Sequence, residues 1–348
     1  MFRTRAAWRP PIYLADRFRI VATVFGSITP APTVTRIKYS NGLYIALAQS
    51  ADGLAAYVST STNLLSWTAP TSFVDTIIYD AAYNGSVDDD FVLVGESFGA
   101  AKIFVTTGSL TGLTVSSPVG LSIPKYIDWC AFSPSGSFQI SAATNRAYSN
   151  ANATTWTVAT YSSSAFEPAG LVYIPTLGAF FDLRAEKVPN GNLIVYKGTT
   201  AATSTPFIIE AAAGGRSYTD CVIFHNQAVN NILIGSRIAS TTSIALGFTM
   251  YTTAGVGTAG AAIGLPVNKF VGAAYLPTYN QIIIQDVSGN LSRFKLTAPS
   301  SLEATWKINT TYSFDTVTSA VAEQGNRFIF GPAGLISMNG PGQISLNA

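Results

Sequence analysis

Seven short β-rich runs recur along the chain at one spacing, and this recurrence limits the possible folds more than any other feature of the sequence. They are Leu43-Tyr44-Ile45-Ala46-Leu47, Phe91-Val92-Leu93-Val94-Gly95, Ser137-Phe138-Gln139-Ile140-Ser141, Ala179-Phe180-Phe181-Asp182-Leu183, Asn231-Ile232-Leu233-Ile234-Gly235, Gln281-Ile282-Ile283-Ile284-Gln285 and Arg327-Phe328-Ile329-Phe330-Gly331. Six intervals separate Ile45 from Ile329, a mean period of about 47 residues, which lies in the range of solenoids and propeller blades. One such unit cannot bury its own apolar face, so the units must stack on one another.

Each run is dense in β-branched and aromatic residues and mostly apolar at both alternating positions, as in a strand covered on two sides. These read as second strands. About ten residues earlier in each repeat lies another apolar stretch, such as Thr76-Ile77-Ile78-Tyr79, Ala169-Gly170-Leu171-Val172-Tyr173 or Ala273-Ala274-Tyr275-Leu276, with the small residues that crowded inner strands need. Third strands follow at Ala55-Ala56-Tyr57-Val58-Ser59, Lys102-Ile103-Phe104-Val105-Thr106, Asn192-Leu193-Ile194-Val195-Tyr196 and Leu291-Ser292-Arg293-Phe294-Lys295, and a fourth carries Trp67, Trp156 or Trp306. Hairpin turns are marked by Ser40-Asn41-Gly42, Asp52-Gly53, Ser135-Gly136, Asn190-Gly191, Ser288-Gly289-Asn290 and Gly325-Asn326. No window has helical periodicity.

The expected fold is therefore all-β, a seven-bladed β-propeller over residues 33–348, preceded by a segment 1–32 that is either an arm or a ring-closing strand. Ala7-Trp8-Arg9 resembles the missing outer strand of the last repeat, and Gln343-Ile344-Ser345-Leu346 is the alternative. Closure through the N-terminal segment is preferred, because an open ring leaves two unpaired edges.

Composition narrows the functions. Charged residues make up 11% of the 348 and the net charge is +2. No broad basic footprint for nucleic acid results. Cys130 and Cys221 lie in no zinc-site spacing and read as buried thiols. Asp16, Arg17 and Arg19 interrupt any leader-like apolar core, and no run reaches the roughly 18 to 20 apolar residues of a membrane span.

Tyr39-Ser40-Asn41-Gly42-Leu43-Tyr44-Ile45-Ala46-Leu47, followed by Ser61-Thr62-Asn63-Leu64-Leu65-Ser66-Trp67-Thr68, resembles a blade of the sialidase-like or BNR-repeat propellers. Those repeats carry a Tyr-Gly-Asn-Gly-x-Phe-Val-Ala-Val strand and a Ser-Thr-Asp-Gly-x-Thr-Trp turn, the Asp box. Ser149-Asn150-Ala151-Asn152-Ala153-Thr154-Thr155-Trp156 is a second, degenerate copy. In both the acid is replaced or shifted, to Asn63 and Asn152, and the turn glycine is missing. The resemblance implies the propeller fold. Many non-catalytic propellers of this kind are virion components of tailed bacteriophages, and this Ser/Thr/Ala/Gly-rich, Cys- and His-poor composition is similar to theirs.

Each candidate site has two readings. The resemblance would carry sialidase activity only with an arginine triad, a Tyr–Glu pair and an acidic donor, and Glu96, Glu167, Glu186, Glu210, Glu303 and Glu323 match none of those motifs. Asp75, Asp128 and Asp220 share a spacing to a following aromatic residue, which would make them either a partial acidic ring on one channel rim or carboxylates capping turns. Asp88-Asp89-Asp90 reads as a solvated hairpin tip rather than a Ca²⁺ loop. His225, the sole histidine, reads as a core or rim residue. Tyr83, Tyr161, Tyr251 and Tyr279 look exposed enough to stack on sugars, or else belong to ordinary blade packing. Arg3, Arg5, Trp8, Arg9, Arg17 and Arg19 form either an arm that docks on an acidic partner surface or a solvated terminus.

The resulting expectation is a non-enzymatic virion protein of a tailed phage, made in the host cytoplasm, without catalytic residues, cofactor or metal. Its partners would be other virion proteins and possible host-surface glycans or receptors, with no nucleic acid and no membrane insertion. A lectin-like propeller is the alternative, and a divergent glycosidase the third reading.

Overall fold

The computed structural model describes residues 19–22, 24–62, 66–85, 90–106, 113–116, 127–134, 136–142, 145–161, 165–186, 191–198, 206–210, 216–226, 231–239, 244–252, 254–255, 257–259, 263–264, 270–276, 281–286, 290–295, 301–307, 322–324, 327–330 and 335–339. Side chains are described mainly between 24 and 198. Among these residues there is no α-helix, and the strands form seven antiparallel sheets, six of them built on four strands that are consecutive in the chain.

Sheet 1 is Thr33–Ser40, Leu43–Gln49, Ala55–Ser61 and Thr71–Val74, and sheet 2 is Thr76–Tyr83, Phe91–Ser97, Ala100–Thr106 and Leu113–Ser116. Sheet 3 is Ile127–Ser133, Ser137–Ala142, Asn145–Ser149 and Trp156–Thr160, and sheet 4 is Phe166–Ile174, Ala179–Glu186, Leu193–Gly198 and Ile208–Glu210. Sheet 5 comprises Arg216–Asn226, Asn231–Ala239, Ile244–Tyr251 and Gly257–Ala259, with Ile263–Gly264 added to its third strand. Phe270–Leu276, Gln281–Asp286, Asn290–Lys295 and Ser301–Lys307 form sheet 6. Sheet 7 joins Ala322–Gln324, Arg327–Phe330 and Leu335–Asn339 to Arg19–Ala22 from the other end of the chain. Its outer edge is thus residues 19–22, whereas 7–9 and 343–346 lie outside the described residues.

The first strand of each sheet packs against the first strand of the next, and Ala322–Gln324 of sheet 7 returns to Thr33–Ser40 of sheet 1. The sheets therefore succeed one another around an axis lined by first strands. The second strands contain the seven recurrent runs, and where their side chains are described they are buried on both faces. Their alternation feeds two cores. Tyr44, Ala46 and Ala48 pack with Val24, Phe25 and Trp67, while Ile45 and Leu47 on the other face meet Ile78, Leu93 and Phe104 of sheet 2. The opposite face of sheet 2, with Val92, Val94 and Ile103, packs on Phe138 and Ile140 of sheet 3. Each such fully buried branched side chain contributes about 1.5–3 kcal/mol.

First strands of sheets 1 to 6 all break register once, between Val34/Arg36, Ile78/Asp80, Ile127/Trp129, Pro168/Gly170, Arg216/Cys221 and Phe270/Gly272. A bulge bends its strand and re-aims the neighbouring side chains. Gly95 lies opposite the sheet 2 bulge, where a Cβ would sit 1.9 Å from the Ile77 carbonyl oxygen.

The Asp-box-like stretch of sheet 3 is a tight turn between the third and fourth strands. Asn150 Oδ1 accepts from the backbone N–H of Thr154 (2.9 Å) and Thr155 (3.0 Å), and Trp156 Nε1 donates to the Ala153 carbonyl (2.8 Å). Trp156 and Trp306 stand on fourth strands as expected. Trp67 does not: it precedes Thr71–Val74 and fills the core beside Val24 and Phe25, because the link after Ser61 is longer.

Two turns of one backbone type are built from different residues. Asn41-Gly42 (φ 50° and 91°) and Phe98-Gly99 (φ 50° and 71°) both place two left-handed residues between strands. Such two-residue turns favour Asn-Gly, since a bulky residue is strained at positive φ. Phe98→Asn is expected to stabilise the fold by about 0.5–1 kcal/mol, read as a rise in the denaturation midpoint.

Candidate functional site

Where the first strands bulge, a cavity of about 370 Å³ opens beside the axis, lined by Thr35, Arg36, Gln49, Ile77, Ile78, Tyr79, Trp129 and Pro168. Four consecutive sheets contribute. The bulges explain why, since Thr35, Tyr79, Arg36, Trp129 and Pro168 all stand at or next to one.

Beneath this cavity lies a cluster of charges held by three sheets. Asp80, fully buried on the first strand of sheet 2, faces Arg36 Nη1 at 3.1 Å and Lys38 Nζ at 2.8 Å, both from sheet 1. Its Oδ2 also accepts the backbone N–H of Cys130 in sheet 3 at 2.8 Å, and Lys38 donates to the Cys130 carbonyl. The Arg36 guanidinium stacks on Trp129, 4.0 Å from the ring centroid, which fixes its position. Burial, the largest influence, pushes the Asp80 carboxyl up, but Lys38 and Arg36, with hydrogen bonds from Lys38 and Cys130, together bring it below its ordinary value. Two cations share one carboxylate. Their side chains keep 26% and 22% exposure, so a net positive charge remains close to the cavity wall. Burial, followed by the Asp80 charge, raises the Cys130 thiol well above its ordinary value, which leaves it unreactive.

A second network joins sheets 3 and 4. Ser141 donates to Asp182 at 2.8 Å, Tyr161 donates to Asp182 Oδ2, and Arg184 reaches Asp182 at 3.8 Å and the Ala142 carbonyl at 2.9 Å. Arg184 and Arg146 are fully buried, with the Arg184 guanidinium 3.9 Å from the centre of the Tyr161 ring. Burial raises Asp182, only partly offset by Arg184, and also raises Tyr161 and brings Tyr148 to about 12. Gly198 leaves the space for this network: a Cβ there would lie 2.4 Å from the Tyr148 hydroxyl and 3.0 Å from Arg146 Nη1. Both networks join neighbouring sheets.

The sequence missed both. Asp182 lies within a recurrent run, and a carboxylate between apolar neighbours in a doubly covered strand is the signal that could have exposed it. Asp80 is next to the last residue of the apolar stretch read as 76–79.

Asp75 is exposed in the turn before the first strand of sheet 2, with φ 52°. Asp128 is the bulge residue of sheet 3, and Asp220 lies within the sheet 5 irregularity. The side chains of Asp128 and Asp220 lie outside the described residues. Asp90 is no solvated tip: it is buried, accepting from Asn84 Nδ2 (3.4 Å) and donating its N–H to Asn84 Oδ1 (2.9 Å). Asp88 and Asp89 are outside the described residues. Tyr161 and Tyr251 are buried and so present no ring to a sugar, Tyr83 is half-buried against Phe91, and Tyr279 is outside the description. His225 is buried, with Nε2 3.4 Å from Thr176 Oγ1. Arg3, Arg5, Trp8, Arg9 and Arg17 lie outside the described residues, and Arg19 begins the edge strand of sheet 7. No group of three or more potential metal ligands occurs among the described residues, and no helix among them is long and apolar enough to cross a membrane.

Among the described residues, three of the four large apolar side chains most open to solvent stand on one rim, and the fourth, Tyr39 (56%), stands at the first-to-second-strand turn of sheet 1. Leu54 (58% exposed) and Phe98 (85%) occupy the turns between second and third strands of sheets 1 and 2, and Val74 (71%) precedes the link between those sheets. Backbone bonds connect the three turns: Asp75 N–H donates to the Leu54 carbonyl at 2.6 Å and Phe98 N–H to the Asp75 carbonyl at 3.3 Å.

No family model matches the chain, and no curated protein does. Solved structures do. A chain of a mitotic checkpoint complex superposes with a TM-score of 0.63 at 11% identity, over 97% of this chain and 98% of that one. Hsv2 of Kluyveromyces, with one loop replaced by a Gly-Ser linker, gives 0.57 at 7% identity over 87% and 90%. Raptor of Chaetomium thermophilum gives 0.61 at 7% identity over 93% of this chain but only 29% of its own. The chain is a β-propeller. At such identities the likeness speaks for the fold alone, and the resemblance to sialidase-like repeats rests on the sequence.

Proposed function

We propose that this chain is a non-catalytic, seven-bladed propeller that acts as a rigid scaffold, holding neighbouring proteins through its rim. One contrast carries the reading. The buried ions of the Asp80 and Asp182 networks tie blade to blade, whereas Leu54, Val74 and Phe98 face solvent on connected turns. A monomer gains nothing in folding from an exposed Phe98 in a strained turn, while an interface does. The axial cavity, with the residual charge of Arg36 and Lys38, suits an acidic group of such a neighbour.

The setting follows from the sequence resemblance and composition: a tailed-phage virion, with other virion proteins as partners. Mass spectrometry of particles purified from the source of the gene is expected to find the chain as a stoichiometric component, and deletion of residues 1–18 to block its incorporation. Absence from particles, together with glycan-array binding by the isolated chain, would replace this reading with the lectin-like one.

A further inference from the structure

The cavity beside the axis has the size and lining of a small-molecule site. Its 370 Å³ lies at the lower end of the range of ligand pockets. Ile77 and Trp129 give it apolar walls, and Thr35 and Tyr79, the extra residues of the sheet 1 and sheet 2 bulges, add hydroxyl-bearing side chains to the lining. Bulges next to a site re-aim side chains toward it. Thr35 Oγ1 is buried and meets no hydrogen-bond partner, which costs the fold free energy that a bound molecule can relieve.

Arg36 supplies the charge. Its guanidinium lies 4.0 Å from the Trp129 ring centre while Nη1 faces Asp80 at 3.1 Å, so a planar fork is already fixed at the cavity wall before anything binds. The other charges that adjoin the lining by sequence or strand pairing set how much anion it tolerates. Lys38 stands behind Arg36, and the two cations share the fully buried Asp80. Arg184, paired with Pro168, is fully buried against Asp182. Glu96, half-buried, is opposite Ile77, and Glu167, exposed, precedes Pro168; the Asp128 side chain lies outside the described residues. One negative charge at Arg36 is balanced there. A second would meet Asp80 beneath and Glu96 and Glu167 beside it.

We infer that this cavity binds a small apolar molecule bearing a single carboxylate, with the carboxylate at Arg36 and the apolar body against Ile77 and Trp129. The inference deepens the scaffold reading by giving the axial cavity a ligand class. A carboxylate reaches the cavity on a free acid or on a neighbour's side chain, and the walls favour the free acid, because a lone Asp or Glu side chain leaves them uncovered.

Titration calorimetry of the full chain tests this with phenylacetate as the free apolar acid and N-acetylglutamate amide as the mimic of a neighbour's side chain. Phenylacetate is expected to bind, its neutral counterpart phenylacetamide to bind at least about tenfold more weakly, and inorganic phosphate not to compete. Arg36→Lys keeps a cation beside Asp80 but loses the fork and its stacking on Trp129, and is expected to weaken phenylacetate binding by about tenfold or more. Ile77→Phe fills the cavity without touching a charge and is expected to weaken it as much. No binding of phenylacetate to the wild-type chain overturns the inference, as does equal binding of the amide, competition by phosphate, or unchanged binding in both variants. N-acetylglutamate amide binding as tightly as phenylacetate also overturns it and assigns the cavity to a neighbour. Particle mass spectrometry is independent of all these results, so failure of the ligand and failure of the scaffold reading are told apart.

Discussion

Replacing Asp80 with alanine is expected to cost the fold about 3–5 kcal/mol, the penalty for removing one partner of a buried ion pair. The loss exceeds that of an ordinary surface salt bridge because three groups lose their acceptor together: Lys38, Arg36 and the backbone N–H of Cys130. Together with Asp80 itself those groups span three sheets, so the first-strand contacts around the axis loosen as a unit. Asp80→Asn separates charge from shape, since an amide oxygen still accepts the Cys130 N–H but no longer balances the cations. It should recover only part of the loss. The effect has a pH signature. The Asp80 carboxyl lies below its ordinary value of 3.8 in the folded chain, so its stabilisation is complete above that value and disappears as pH falls through the lowered one. Asp182 has the opposite sign: raised by burial, it favours the fold most below 3.8, and that contribution is lost as pH rises through its raised value. Chemical denaturation of wild type and Asp80→Asn across acidic pH should therefore show the difference between them shrinking as pH falls.

Gly95→Ala should be as damaging by a different route. The added methyl would lie 1.9 Å from the Ile77 carbonyl oxygen and 2.9 Å from Ile78 Cα, both backbone atoms that cannot rotate away. Relief requires separating the second strand of sheet 2 from its bulged neighbour, at a cost of roughly 3 kcal/mol or more, above the usual range for an overpacked core. Because the bulge next to Gly95 sets the direction of Tyr79 and Asp80, the substitution should also disturb the axial cavity. The fluorescence of Trp129, which lines that cavity, reports it. A soluble Gly95→Ala protein with wild-type stability and an unchanged emission spectrum would mean that the strand pairing is wrong.

The strands were legible because their causes are local. A five-residue apolar run flanked by Asn-Gly or Asp-Gly writes a buried strand into the sequence, and repetition of the run writes the stacking of sheets. Ile45, Leu93 and Phe181 are examples where pattern and burial agree. The charged cluster was not legible, because Arg36, Lys38, Asp80 and Cys130 meet only after three sheets have packed. Alternation alone cannot announce such a meeting. Bulges were the other obstacle. One extra residue in a first strand reverses the face of those before it, so a shared spacing such as that of Asp75, Asp128 and Asp220 does not by itself fix a shared face. Burial of Tyr161 and Tyr251 agrees with the packing reading, although Tyr161 next to a strand end looks exposed until Arg184 and Asp182 of the next sheet cover it.

The sheets are joined into a ring whose last member takes its edge strand from residues 19–22. Ile20 is paired with Ile336, near the other end of the chain. Cysteines at these two positions would stand at the roughly 4.5–5.5 Å Cα separation of antiparallel partners, within reach of a disulfide. Mild oxidation of Ile20→Cys/Ile336→Cys is predicted to give an intramolecular bond, identified by mass spectrometry of the cross-linked peptides, in monomeric protein. Free thiols, or bonds formed only between molecules, would contradict it.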